Sequence, residues 1–174
     1  MSLVRSRYAT IGLFFPRSLL LDGQDVASQS EYPSLEMNGV RVLLVEDAEL
    51  IGELIRDMFC DAGATVVAQT PSAPAALRVL RTQPVDVVCL DILLGSRPSF
   101  DVADHLAAEG IPFVFVTACD PAIVPERHRK QLLVDKDDLP YLLIPACRAV
   151  IARSHLRKAA PHPGSRNRTL TSEL

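Results

Sequence analysis

The sequence predicts an α/β fold: a doubly wound, five-stranded parallel sheet with strand order 2-1-3-4-5. Short runs of Val, Leu, Ile and Phe lack period-2 alternation, as strands buried on both faces do. Segments with helical spacing separate these runs, and five strand–helix units fit within residues 40–153.

The elements follow in order from Val40. "VRVLLV" (40–45) is the first strand, and "LIGELIRDMFCDAG" (50–63) is a helix closed by Gly63. Leu50, Ile51, Leu54, Ile55, Met58 and Phe59 fall on one face of that helix and form its expected buried side. "TVVAQ" (65–69) is a strand, "APAALRVLRTQ" (73–83) a helix and "VDVVCLD" (85–91) a strongly apolar strand. "SFDVADHLAAEG" (99–110) is a helix ending at Gly110, followed by the buried strand "PFVFVTA" (112–118). "PAIVPERHRK" (121–130) is a weak helix with Pro125 inside it, "QLLVD" (131–135) the fifth strand and 138–153 the last helix. Pro145 lies deep enough in that last segment to kink it or delay its regular part until Ala146.

The flanks have a different character. Residues 1–39 read as a poorly ordered N-terminal extension, because Pro16 and Arg17 break the apolar stretch and no period follows. Met37 stands directly before the folded pattern and would serve as a start. Residues 154–174 carry four basic residues and one acidic residue and read as a basic flexible tail.

Composition narrows the function. Residues 40–153 hold 16 acidic and 11 basic side chains, which argues against nucleic acid as a partner of the main body. No apolar run approaches the ~20 residues of a membrane span. Cys60, Cys89, Cys119 and Cys147 stand singly, a pattern that fits reduced cytoplasmic thiols better than disulfides or zinc. His105, His128, His155 and His162 have no metal spacing and receive no role.

Sheets of this type bind ligands beyond the carboxyl ends of their strands. The first strand ends in Glu46 and Asp47, the third in Asp91, the fourth in Thr117, and Lys136 follows the fifth. Each alone has an ordinary structural reading: a turn acid, a strand-end hydroxyl, a solvated cation. Together they bring three carboxylates, a hydroxyl and an ammonium to one pocket. Adjacent carboxylates at a buried strand end cost stability unless something compensates them, such as a cation. Hard oxygen donors of this kind suit Mg²⁺.

"VLLVEDAEL", "VDVVCLDILLG", "PFVFVTA" and "LLVDK" resemble, in order and spacing, the signatures of the receiver domain of response regulators in two-component signalling. The resemblance covers residues 40–153. "LGSRPSFDVADHLAAEGIPFVFVTA" and "PERHR" are closest to the stand-alone alphaproteobacterial receivers with a Phe-Ala-Thr-Gly type motif. It implies a flavodoxin-like fold and a cytoplasmic phosphoprotein. Asp91 would accept the phosphoryl group, and Glu46, Asp47, Asp91 and the backbone carbonyl of Leu93 would hold Mg²⁺. Thr117 and Lys136 would contact the phosphoryl oxygens. The protein would be no enzyme beyond its own phosphorylation and dephosphorylation. Its partners would be a sensor histidine kinase or histidine phosphotransferase and a downstream protein, with room for a homodimer. Only 21 residues follow 153, so no output domain is expected after it.

Some positions depart from the family pattern. Lys136 is followed by Asp137 where receivers usually carry Pro, so a trans bond is expected there. Leu133 replaces the usual switch aromatic, "TACDP" lacks the subgroup's aromatic, and Gly95 stands where most receivers have Pro. These departures leave a second reading, a degenerate receiver serving as a phosphorylation-independent interaction module. A cofactor-binding enzyme of the same fold is disfavoured, because no GxGxxG or GxxxxGK[ST] loop occurs and Glu46 and Asp47 would repel phosphate.

Overall fold

The computed structural model describes residues 36–159, so the expectations for residues 1–35 and 160–174 lie outside the described residues. The chain forms β1 (Arg41–Val45), α1 (Glu49–Asp61), β2 (Thr65–Thr70), α2 (Ala73–Thr82) and β3 (Val87–Asp91). A short ribbon of β4 (Leu93–Leu94) and β5 (Arg97–Pro98) follows, then α3 (Phe100–Glu109), β6 (Phe113–Thr117), β7 (Leu133–Asp135) and α4 (Leu139–Ala159). The main sheet has the order β2-β1-β3-β6-β7, and every pairing in it is parallel. With the ribbon set aside, this is the 2-1-3-4-5 order read from the sequence.

The central strands explain why the pattern was so apolar. Every residue of β3 and β6 is buried. Helices α1 and α4 share one face of the sheet, and α2 and α3 share the other. Between α2, α3 and the sheet lies a core built on Leu43, Val45, Leu90, Val102, Leu106 and Phe115. Gly63 and Gly110 turn the chain out of α1 and α3 at φ of 82° and 65°, a left-handed conformation that costs other residues a Cβ clash.

Four local expectations need correction. The face of α1 is narrower than its apolar stripe: Ile55 and Phe59 are buried, but Leu50 is 79% and Leu54 47% exposed. The expected helix over 121–130 is instead two 3-10 turns, Pro121–Ile123 and Glu126–His128. Proline disfavours helical geometry in the residue before it, and Val124 is extended at ψ 122°. Helix α4 begins at Leu139, without waiting for Ala146, and runs past 153 to Ala159 with Pro145 inside it. Its buried row of Leu143, Ile144, Ala146, Cys147 and Val150 carries the helix through the missing hydrogen bond. Finally, Met37 is buried, and its N–H donates to the Ala62 carbonyl, so ordered contacts start before Val40.

His128, given no role from the sequence, anchors the irregular segment between β6 and β7. Its ring is 6% exposed and lies 6.4, 6.1 and 6.1 Å from those of Phe100, Phe113 and Phe115. Its Nε2 is 2.8 Å from Asp104 Oδ1, and Arg127 grips the same carboxylate through Nε and Nη2 at 2.7 and 2.9 Å. The side chain therefore fills an aromatic pocket and satisfies a carboxylate at once. Replacing His128 by Ala should lower stability by about 2–4 kcal/mol through the cavity and the lost polar contact. Urea unfolding of the two proteins measures this directly; a midpoint unchanged within error would show that the pocket contributes nothing.

Candidate functional site

All five strand-end positions arrive at one end of the sheet, because parallel strands present their carboxyl ends together. Glu46, Asp47 and Asp91 each offer a carboxylate oxygen, and these oxygens lie within 4.8 Å of one another. Glu46 and Asp91 are buried at 2% and 6% exposure, while Asp47 faces solvent.

Lys136 closes the cluster from the fifth strand's side. Its Nζ is 2.7 Å from Asp91 Oδ2 and 3.0 Å from Glu46 Oε1. It also lies 2.8 Å from Glu46 Oε2, but off the hydrogen-bond direction, so that buried oxygen has a nearby charge and no directional donor. Burial raises the Glu46 pKa, and the Asp91 charge adds to the effect, with Lys136 opposing both. Burial alone would lower the Lys136 pKa; its hydrogen bonds to Asp91 and Glu46 more than offset this and hold the ammonium charged.

The backbone fixes the remaining geometry. Ala48 N–H donates to Glu46 Oε1 at 3.1 Å, Leu93 N–H to Asp91 Oδ1 at 3.2 Å, and Gly95 N–H to Asp47 Oδ2 at 2.8 Å. Leu93 opens the ribbon opposite Pro98 in a non-hydrogen-bonded pair, flanked by the Ser99 N–H to Ile92 carbonyl bond, so the Leu93 carbonyl turns away from β5. Thr117 is 1% exposed, and its Oγ1 accepts the Cys119 N–H at 3.0 Å, which leaves the hydroxyl hydrogen for another acceptor. The Lys136–Asp137 bond is trans, as expected, and Asp137 N–H bonds back to Asp135 Oδ1 at 3.1 Å.

Two supporting residues were not read from the sequence. Ser99 is fully buried and its hydroxyl donates to the Asp91 carbonyl, pinning the ribbon back onto the end of β3. A Ser at a helix start usually signals a cap, but here it makes no side-chain bond to its own helix. Gly95 was noted as a departure; its N–H is what orients Asp47. Cys119 stays half-buried beside Thr117. Burial pushes the Cys89 thiol well up and the Cys147 thiol up to about 12, so both stay protonated and unreactive.

The donor set fits a hard divalent cation. Three carboxylates converge, one buried oxygen lacks a directional donor, and no nitrogen or sulfur ligand competes within the cluster. No helix of the described residues is long and apolar enough to cross a membrane.

Residues 42–129, just over half of the chain, match the response regulator receiver domain. The chain is 30% identical to SdrG of Pseudomonas melonis Fr1 in its BeF3-activated conformation, covering 67% of this chain and 95% of that one at a TM-score of 0.52. The response regulator PhyR of Brucella abortus shares the fold at 24% identity and a TM-score of 0.65, over 74% of this chain and 54% of PhyR. A protein-glutamate methylesterase/protein-glutamine glutaminase of Natronomonas pharaonis is 29% identical over 41% of the chain. The match spans only 20% of that relative's own length, and a second curated relative is matched over 36% of its length. The chain belongs to the response regulator receiver domain family of two-component signalling.

Proposed function

We propose that this receiver takes a phosphoryl group onto Asp91 from a histidine kinase or histidine phosphotransferase and signals through protein contacts of its own. The observation that carries the reading is the Lys136 ammonium bridging Asp91 and Glu46 at the edge of a three-carboxylate cluster. An aspartate carboxylate is a competent nucleophile toward phosphorus, and transfer mainly needs in-line positioning and charge neutralisation. Asp91 Oδ would attack the phosphohistidine phosphorus, forming an acyl phosphate as the P–N bond breaks and the imidazole leaves.

Glu46, Asp47, Asp91 and the Leu93 carbonyl would hold Mg²⁺, which when bound neutralises charge on the phosphoryl oxygens. Lys136 would hold the nucleophile in place and then contact a phosphoryl oxygen. Thr117 would donate its hydroxyl hydrogen to another. We assign the receiver to residues 40–153, extended by the docked Met37 on one side and by the last turns of α4 to Ala159 on the other, and place it in the cytoplasm. "LGSRPSFDVADHLAAEGIPFVFVTA" and "PERHR" support membership of the stand-alone Phe-Ala-Thr-Gly type subgroup. The BeF3-activated form of SdrG supports phosphoryl chemistry in a similar chain.

The test is transfer from a kinase bundle carrying radiolabelled phosphohistidine. Label should move to the receiver only with Mg²⁺ present. Label remaining on every bundle tried, with the fold intact, would favour the phosphorylation-independent module instead.

Asp47 gives a second check. It is the exposed member of the cluster, so Asp47→Ala removes one anionic ligand with little effect on packing. Mg²⁺ affinity should fall by about tenfold or more in a calorimetric titration. Equal affinity in the variant would remove Asp47 from the ligand set.

A further inference from the structure

The opposite end of the sheet carries a feature that phosphoryl transfer does not use. The last turn of α3, the N-terminal ends of β6 and β7 and the final turns of α4 surround an open cleft of about 300 Å³. Its floor is apolar, with Leu106, Phe113 and Val150 buried beneath it. Its rim carries Lys130, Arg153, Arg157 and Lys158, and no carboxylate lines it. Among the described residues, none of these four cations makes an ion pair.

That clustering runs against the composition, because the described residues 36–159 carry 17 acidic and 13 basic side chains. The helix dipole accounts for part of it, since Arg157 and Lys158 lie in the last turn of α4. It does not account for Lys130, which belongs to another segment, or for Arg153, a full turn further in. Arg153 and Arg157 stand four residues apart, where like charges face each other and destabilise a helix. A bound anion relieves that repulsion. The cleft is at the small end of ligand pockets, about 300–1,000 Å³, and it is open on one side. A long polyanion such as a nucleic acid would overrun it and meet an acidic body.

We infer that this cleft docks a short acidic segment of a partner protein, with one apolar side chain on the floor and its neighbouring carboxylates on the rim. The cleft lies at the other end of β6 from Thr117, about 13 Å along the strand. Docking there therefore stands or falls independently of phosphorylation.

The test pans a phage-displayed random dodecapeptide library on the full chain. Selected peptides should place two or more Asp or Glu within about four residues of a Leu, Ile or Phe. A fluorescein-labelled winner, titrated by anisotropy, should bind R153E/R157E at least tenfold more weakly and R153K/R157K within about threefold of the parent. D91N should bind it as the parent does. Amide shift mapping on the unaltered chain should place the largest changes at Gly110, Lys130 and Ser154, a readout that does not depend on any variant folding. Winners without acidic residues, charge reversal with no loss, shifts centred elsewhere, or equal binding of a single-stranded dodecanucleotide would each overturn the inference.

Discussion

Asp91→Asn will abolish phosphoryl uptake while leaving the fold in place. Asn is nearly isosteric, and its side-chain oxygen can still accept from Leu93 N–H or Lys136, the two donors that hold Asp91 now. What it loses is nucleophilicity: a neutral amide does not attack phosphorus under conditions where a carboxylate does. Removing one charge from a crowded acidic cluster also relieves Glu46, whose pKa the Asp91 charge helps to raise. The variant should therefore be at least as stable as the parent. With acetyl phosphate and Mg²⁺, incorporation should fall by about three orders of magnitude or more. Undiminished incorporation would place the acceptor elsewhere.

Lys136→Met should have the largest effect on stability, and the effect should depend on pH. The Lys136 side chain is 17% exposed, and its partners Glu46 and Asp91 are at 1% and 7%. Removing one member of a buried charge pair leaves an uncompensated charge, which typically costs about 3–5 kcal/mol. Burial already raises the Glu46 pKa above its ordinary 4.5, and Lys136 is the group that opposes this rise. Without Lys136 the folded-state pKa goes up further. A carboxyl that binds its proton more tightly when folded makes the protein more stable as pH falls toward that pKa, and less stable above it. The deficit of the variant should thus be greatest near neutral pH and shrink as pH is lowered toward 5. Urea midpoints of parent and variant across that range give the answer, and a deficit that is small or independent of pH would contradict the charge-pair account.

The sheet was legible because β3 and β6 are buried on both faces and therefore written in unbroken apolar residues. Strand ends in a parallel sheet must converge, so Glu46, Asp47, Asp91, Thr117 and Lys136 could be grouped without coordinates. Periodicity was less informative for α1. Two adjacent apolar rows run along it, and only the row of Ile55 and Phe59 is buried, while Leu50 and Leu54 stay exposed. Which row meets the sheet depends on how the helix is set down, and local sequence does not encode that. Segment 121–130 was misread because its composition suits a helix, whereas the decision rests on Pro125 acting on Val124. The roles of Ser99 and His128 depend on partners far along the chain or on a turn not yet formed. The Asp91 carbonyl is eight residues from Ser99, and Asp104 is 24 from His128. No spacing rule reaches such pairs.

The central claim is that these strand-end residues form one Mg²⁺-dependent phosphoryl acceptor. Intact mass of the full chain after incubation with acetyl phosphate, with Mg²⁺ and with a chelator in its place, tests it most directly. The arrangement predicts a single added phosphoryl group with Mg²⁺ and almost none with the chelator. An unchanged mass in both, or the same adduct in both, would contradict it.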